Sequence, residues 1–121
     1  MPRTQIISHK GKVIFHMDFT NLQKVDEITS VINDSIAYIR AKPYSSLYCL
    51  TNISGMYFSN EIKDKFQSFV KGNKPFIKAS AVVGLNGLQQ IIYNGLMKIT
   101  GRDIKSFSTL DEAKEWLVSK N

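Results

Sequence analysis

The sequence predicts an α/β fold built on a mixed β-sheet, with elements in the order β-β-α-β-α-β-α-β-α. Three observations carry this. Short β-rich runs alternate with segments whose apolar residues recur at three- and four-residue steps. Glycine, proline or helix-capping residues punctuate almost every junction between them. The alternation begins only after an opening pair of strands, so an N-terminal hairpin precedes parallel strands with covering helices.

Residues 4–9 (TQIISH) and 13–19 (VIFHMDF) read as strands joined by the turn His9-Lys10-Gly11-Lys12. Val13, Phe15, Met17 and Phe19 share one face by the period-2 rule. Thr20 or Asn21 then caps a helix running to about Ala41, with Leu22, Val25, Thr29, Ile32, Ile36 and Ile39 on its apolar face. Pro43 stops it.

SSLYCLTNI, 45–53, is a buried strand broken by Gly55, and Met56-Tyr57-Phe58 leads to Ser59 as helix cap. The next helix buries Ile62, Phe66, Phe69 and Val70, and Gly72-Asn73 ends it. PFIKASAVV, 75–83, is a further core strand. After Gly84 and Gly87 the periodicity predicts a helix burying Leu88, Ile91, Ile92, Leu96 and Ile99, ending near Gly101. DIKSF, 103–107, is a short last strand, and the capping box TLDE, Thr109–Glu112, starts a helix that packs Ala113, Trp116 and Leu117.

A chain of 121 residues fits one domain spanning 1–121. With 43% hydrophobic and 21% charged residues it has the composition of a globular protein. No apolar run reaches the ~20 residues of a membrane span, and the N-terminal stretch lacks the apolar core of a secretory signal. The single cysteine, Cys49, lies in the apolar context SLYCL and suits a reducing, cytoplasmic setting. The net charge of +6 is uneven: from Lys65 to Arg102 there is no acidic residue, but Lys65, Lys71, Lys74, Lys78, Lys98 and Arg102 are basic. Such a segment attracts phosphates or acidic partners, or is simply a solvated lysine surface.

In open α/β sheets ligands bind beyond the carboxyl ends of the parallel strands. Here that rim comprises Asn52-Ile53-Ser54-Gly55, Gly84-Leu85-Asn86-Gly87 and Ser106-Phe107-Ser108, rich in small polar groups and poor in catalytic ones. Gly84 and Gly87 form only G-x-x-G, which is neither a dinucleotide fingerprint nor a P-loop. The pair reads as a strand-to-helix turn, with the amides at the start of the 87–100 helix as a candidate anion site. Met56, Tyr57 and Phe58 form the lip of a pocket or a docking contact, or fold back over the 59–71 helix. Lys78, on a core strand, snorkels or pairs with an acid. His9 and His16 lack a metal-ligand spacing, and a phosphoryl receiver is rejected because the central strand ends in Thr51-Asn52 with no acid near.

The order of elements and the segment LTNISGMYF resemble the STAS domains (sulfate transporter and anti-sigma-factor antagonist) in their stand-alone, SpoIIAA-like form. Asn52-Ile53-Ser54-Gly55-Met56 looks like that family's D-L-S-G-V, with Asn52 replacing the aspartate. KASAVVGLNGLQ and SFSTLDEAKEWL look like its late strand, turn and final helix. Phosphoregulated members carry D-S-S-G at the start of the next helix, whereas Phe58-Ser59-Asn60-Glu61 stands here. Ser59 is then the candidate phosphorylation site, although capping already explains it.

The resemblance implies a non-enzymatic regulatory or adaptor module that binds a kinase-like or regulatory protein through the 54–62 loop and helix start. The alternative is a small-molecule or lipid-binding domain, with an anionic or apolar ligand at the sheet rim around Asn52 and Gly84–Gly87; a closed, filled rim counts against it. Nucleic-acid binding is disfavoured, because KFQSFVKGNKPFIK places Phe66 and Phe69 on a buried face. The candidate contact residues are Asn52, Ser54, Gly55, Met56, Tyr57, Phe58, Ser59, Gly84, Asn86 and Gly87. No cofactor, metal or catalytic group is expected, and the chain is expected to be a monomer or homodimer.

Overall fold

The computed structural model describes residues 3–120. Five strands, β1 (Thr4–His9), β2 (Lys12–Asp18), β3 (Leu47–Asn52), β4 (Ile77–Val83) and β5 (Lys105–Phe107), form one sheet in the order β1-β2-β3-β4-β5. β1 and β2 are antiparallel and the remaining neighbours are parallel, so the sheet is mixed. Four helices, α1 (Val25–Ile39), α2 (Asn60–Asn73), α3 (Gly87–Thr100) and α4 (Leu110–Val118), complete the predicted order.

The hairpin turns at Lys10 and Gly11, both with positive φ, as a tight two-residue connection requires. Strand alternation then divides the core. Phe15, Met17, Cys49 and Val82 face α1, α2 and α3, whereas Ile14, Leu50, Ala81 and Val83 face Ala113 and Leu117 of α4. Each parallel step passes over the same face, and only the chain after β5 crosses to the other.

Several boundaries move from those expected. α1 starts at Val25 behind Lys24, which makes no side-chain cap, and not behind Thr20 or Asn21. Those two residues serve the loop before it. The Thr20 amide and hydroxyl donate to Asp18 Oδ1 at 2.9 and 2.6 Å, and Asn21 takes a positive φ of 58°. Lys74–Phe76 form a 3₁₀ turn, so β4 begins at Ile77, because Pro75 has no amide to give the sheet. At α4 the Thr109 hydroxyl accepts from the Glu112 amide at 3.2 Å; the Glu112 carboxylate accepts from that hydroxyl and does not reach back to the Thr109 amide. Trp116 stays half-buried beside Phe107.

The largest correction concerns α3. Leu96 is buried and Ile92 half-buried, but Leu88, Ile91 and Ile99 are 65%, 69% and 65% exposed. Gln89 and Thr100 are buried in their place. The cause is local. The Asn86 side chain accepts from the Gln89 amide and the Gln89 side chain accepts from the Asn86 amide, a reciprocal capping box. The Gln89 amide nitrogen Nε2 also donates to the Met56 carbonyl at 3.2 Å. With Gln89 held inward, the helical period sends Leu88, Ile91 and Ile99 to an outer flank.

Candidate functional site

The carboxyl ends of β2, β3 and β4 converge, and their backbone groups are largely spent on one another. Phe19 N donates to Asn52 O at 2.8 Å, Asn21 N to Ser54 O at 2.9 Å, and Ile53 N to Val83 O at 2.9 Å. Asn52 Oδ1 accepts from the Ser54 amide at 3.1 Å, and Gln23 Nε2 donates to Gly55 O at 2.7 Å. Gly84 has φ +96°, and a Cβ there would lie 2.5 Å from Ser54 N. This glycine is required by a positive φ and by backbone contact, whereas a Cβ at Gly87 would meet nothing within 4 Å. The rim around Asn52, Ser54, Gly55 and Gly84 is therefore closed by loop-to-loop contacts, which counts against a ligand bound at the rim itself.

Space opens behind that rim. A cavity of about 70 Å³ lies between α2, α3 and the sheet. By the same measure one water occupies ~10–15 Å³, so there is room for a group of roughly five waters' size. Met56 and Phe58 form one end. Phe66, Phe69 and Val70 of α2 face Leu85 and the α3 residues Tyr93, Leu96 and Met97, while Thr51, Ile53, Val82 and Ile104 make the floor. Thr51, Gln89 and Tyr93 are the lining residues with polar side chains, and the Gln89 amide is already engaged with Met56. Burial, followed by the nearby Asp103 charge, raises the Tyr93 hydroxyl pKa, so it stays neutral.

The predicted contact residues thus separate. Met56 is buried and Phe58 half-buried, and both line the cavity. Tyr57 is 42% exposed, while its amide donates to Leu22 O at 2.9 Å. Ser59 caps α2, its hydroxyl accepting from the Ile62 amide at 3.2 Å. Asn86 and Gly87 are exposed at the start of α3, where the capping box occupies the Asn86 and Gln89 amides.

A second, smaller cavity of about 20 Å³ adjoins the first and shares Thr51, Phe69, Val70 and Ile104 with it. Cys49 and Arg102 line it. Burial pushes the Cys49 thiol up to about 12, so it is a neutral, unreactive group. Arg102 was not among the residues that the sequence singled out beyond its charge. The positive-φ Gly101 that ends α3 turns the chain so that Arg102 Nη1 donates to Val70 O at 2.6 Å. Among the described residues no group of three or more His, Cys, Asp or Glu side chains could hold a metal ion, and no helix is long and apolar enough to cross a membrane.

The chain superposes on a crystal structure of an uncharacterized DUF3478-family protein with a SpoIIAA-like fold from Shewanella loihica PV-4. The TM-score is 0.65, over 94% of this chain and 91% of that one, at 17% identity. The fold is SpoIIAA-like. At that identity the likeness is one of architecture, including the opening hairpin and the strand–helix alternation. No protein-family model matches the chain, and neither does any curated sequence.

Proposed function

We propose that this SpoIIAA-like chain is a non-enzymatic binding module whose ligand is an apolar small molecule or acyl chain, held between α2, α3 and the sheet. The observation that carries this reading is the cavity lined by Met56, Phe58, Phe66, Leu96 and Met97. Ligand sites are concave and mostly apolar with a few polar groups, and this one has that character. It also moves the ligand site away from the closed rim to the space behind it.

A homologous series of n-alcohols tests it by calorimetry. Each added methylene that enters the cavity contributes about 0.8 kcal/mol, roughly fourfold in affinity, until the space is full. Affinities that rise stepwise and then level off support the reading. A flat series contradicts it.

A second reading, a regulatory or adaptor module that docks a protein partner, is favoured by a different observation. Leu88, Ile91 and Ile99 form an exposed apolar flank on α3, and Tyr57 stands exposed on the loop after β3. Phosphorylation of Ser59 belongs to this reading, since a helix N-terminus tolerates an added phosphate. A tagged pull-down with mass spectrometry of partners and of Ser59 tests it; loss of a recovered partner in an Ile91→Lys variant is the expected result.

A further inference from the structure

Arg102 is a cation in an unusual position. It is half-buried at the edge of the smaller cavity, and burial lowers its pKa from the ordinary arginine value. A guanidinium stays charged in proteins even so. It carries five N–H donors, and one of them reaches the Val70 carbonyl. Among the described residues no carboxylate lies within 4 Å of it. The chain before it offers none, since Lys65 to Arg102 contains no acid, and Asp103 next to it makes no ion pair with it. Cys49 beside it is held as a neutral thiol, so it supplies no negative charge either. Capping the end of α2 explains one hydrogen bond; it does not explain placing a desolvated positive charge there.

The position of this charge relative to the apolar cavity is the second observation. The two cavities share the walls Thr51, Phe69, Val70 and Ile104. The smaller one, at about 20 Å³, takes a group of one to two waters' size, at ~10–15 Å³ for each. That suits a carboxylate and is tight for a phosphate with its four oxygens. A planar carboxylate also matches the guanidinium fork. We infer that the ligand is an apolar-tailed carboxylic acid, with its tail in the cavity between α2 and α3 and its carboxylate on the Arg102 guanidinium. This inference rests on the apolar-ligand reading above and adds the polar end of the ligand.

Octanoate and 1-octanol share a tail length and differ in the head group, so they separate the two claims. At neutral pH octanoate should bind the wild-type protein about tenfold tighter than octanol, as a charge-assisted pair requires. In Arg102→Gln the two affinities should come within about twofold of each other through loss of octanoate binding alone, since the tail contacts persist. Lowering the pH until octanoic acid is itself protonated should abolish the preference in the wild-type protein, a readout that holds even if Arg102→Gln fails to fold. Equal wild-type affinities, or a preference that survives in Arg102→Gln or in acid, overturn the inference and leave the apolar cavity standing. If neither compound binds, both the cavity reading and this inference fall.

Discussion

Gln89 donates its side-chain amide to the backbone carbonyl of Met56 at 3.2 Å, joining the first turn of α3 to the loop that follows β3. The same side chain accepts from the Asn86 amide. One residue therefore caps the helix, sets its rotation and closes one end of the apolar cavity. The bond to Met56 is buried, so its loss leaves a carbonyl without a partner.

Replacing Gln89 by leucine should cost about 1–3 kcal/mol, from the lost cap and the stranded carbonyl together. Urea unfolding measures the loss, and amide exchange should quicken through residues 86–93. An unchanged midpoint would show that the capping box does not hold the helix.

The two glycines of the β4–α3 turn should respond oppositely to alanine. Gly84→Ala places a Cβ against Ser54 at a positive φ and should lose roughly 2–4 kcal/mol. Gly87→Ala meets nothing within 4 Å and should be neutral, or stabilising by up to ~1 kcal/mol. Equal penalties at both positions would mean that the turn is wrongly described.

The α3 flank gives a second contrast. Ile91→Lys should shift stability by less than ~0.5 kcal/mol, as surface changes do. Leu96→Ala should cost about 2–4 kcal/mol, because Leu96 is buried beside the cavity. Heavy destabilisation by Ile91→Lys would restore the buried face expected from periodicity alone.

Acid should weaken the fold through His16. Its Nε2 is buried without a partner among the described residues, and burial, opposed by Asp18 and reinforced by Lys114, lowers its pKa below 6.5. The unfolded chain takes up the proton near pH ~6.5 while the folded chain resists it. Stability should thus fall as pH drops below that value and level off once the folded-state pKa is passed. Asp18 acts in a lower window. Burial opposes its charge, but Thr20 and then Arg3 hold it below 3.8, so its contribution is lost as pH falls through its folded-state value. His16→Leu should remove the slope on the higher side only, as followed by thermal unfolding across pH.

The order of elements was legible because each helix and strand carries its own apolar period and its own breaker. What periodicity could not give was the rotation of α3. Its apolar residues cover two adjoining flanks, and the count of three- and four-residue steps does not say which flank faces in. Asn86 and Gln89, spaced as a capping box, carry that information, which the glycines beside them do not. The lip Met56-Tyr57-Phe58 was visible as an apolar group, but the alternation of buried, exposed and half-buried residues within it depends on the Met56 N to Ile53 O turn. Arg102 was the hardest to see. A lone arginine after a helix-ending glycine has no sequence signature, and its approach to Val70, 32 positions earlier, exists only in the fold.

The most direct test of the cavity is an NMR experiment on protein labelled at its methionine, leucine and isoleucine methyls, with octanoate added. Met56 and Met97 line the cavity, whereas Leu88, Ile91 and Ile99 lie on the exposed flank. Intermolecular nuclear Overhauser effects from octanoate methylenes to the Met56 and Met97 methyls are the predicted result. Effects confined to methyls of Leu88, Ile91 and Ile99, or none at all, would contradict the account.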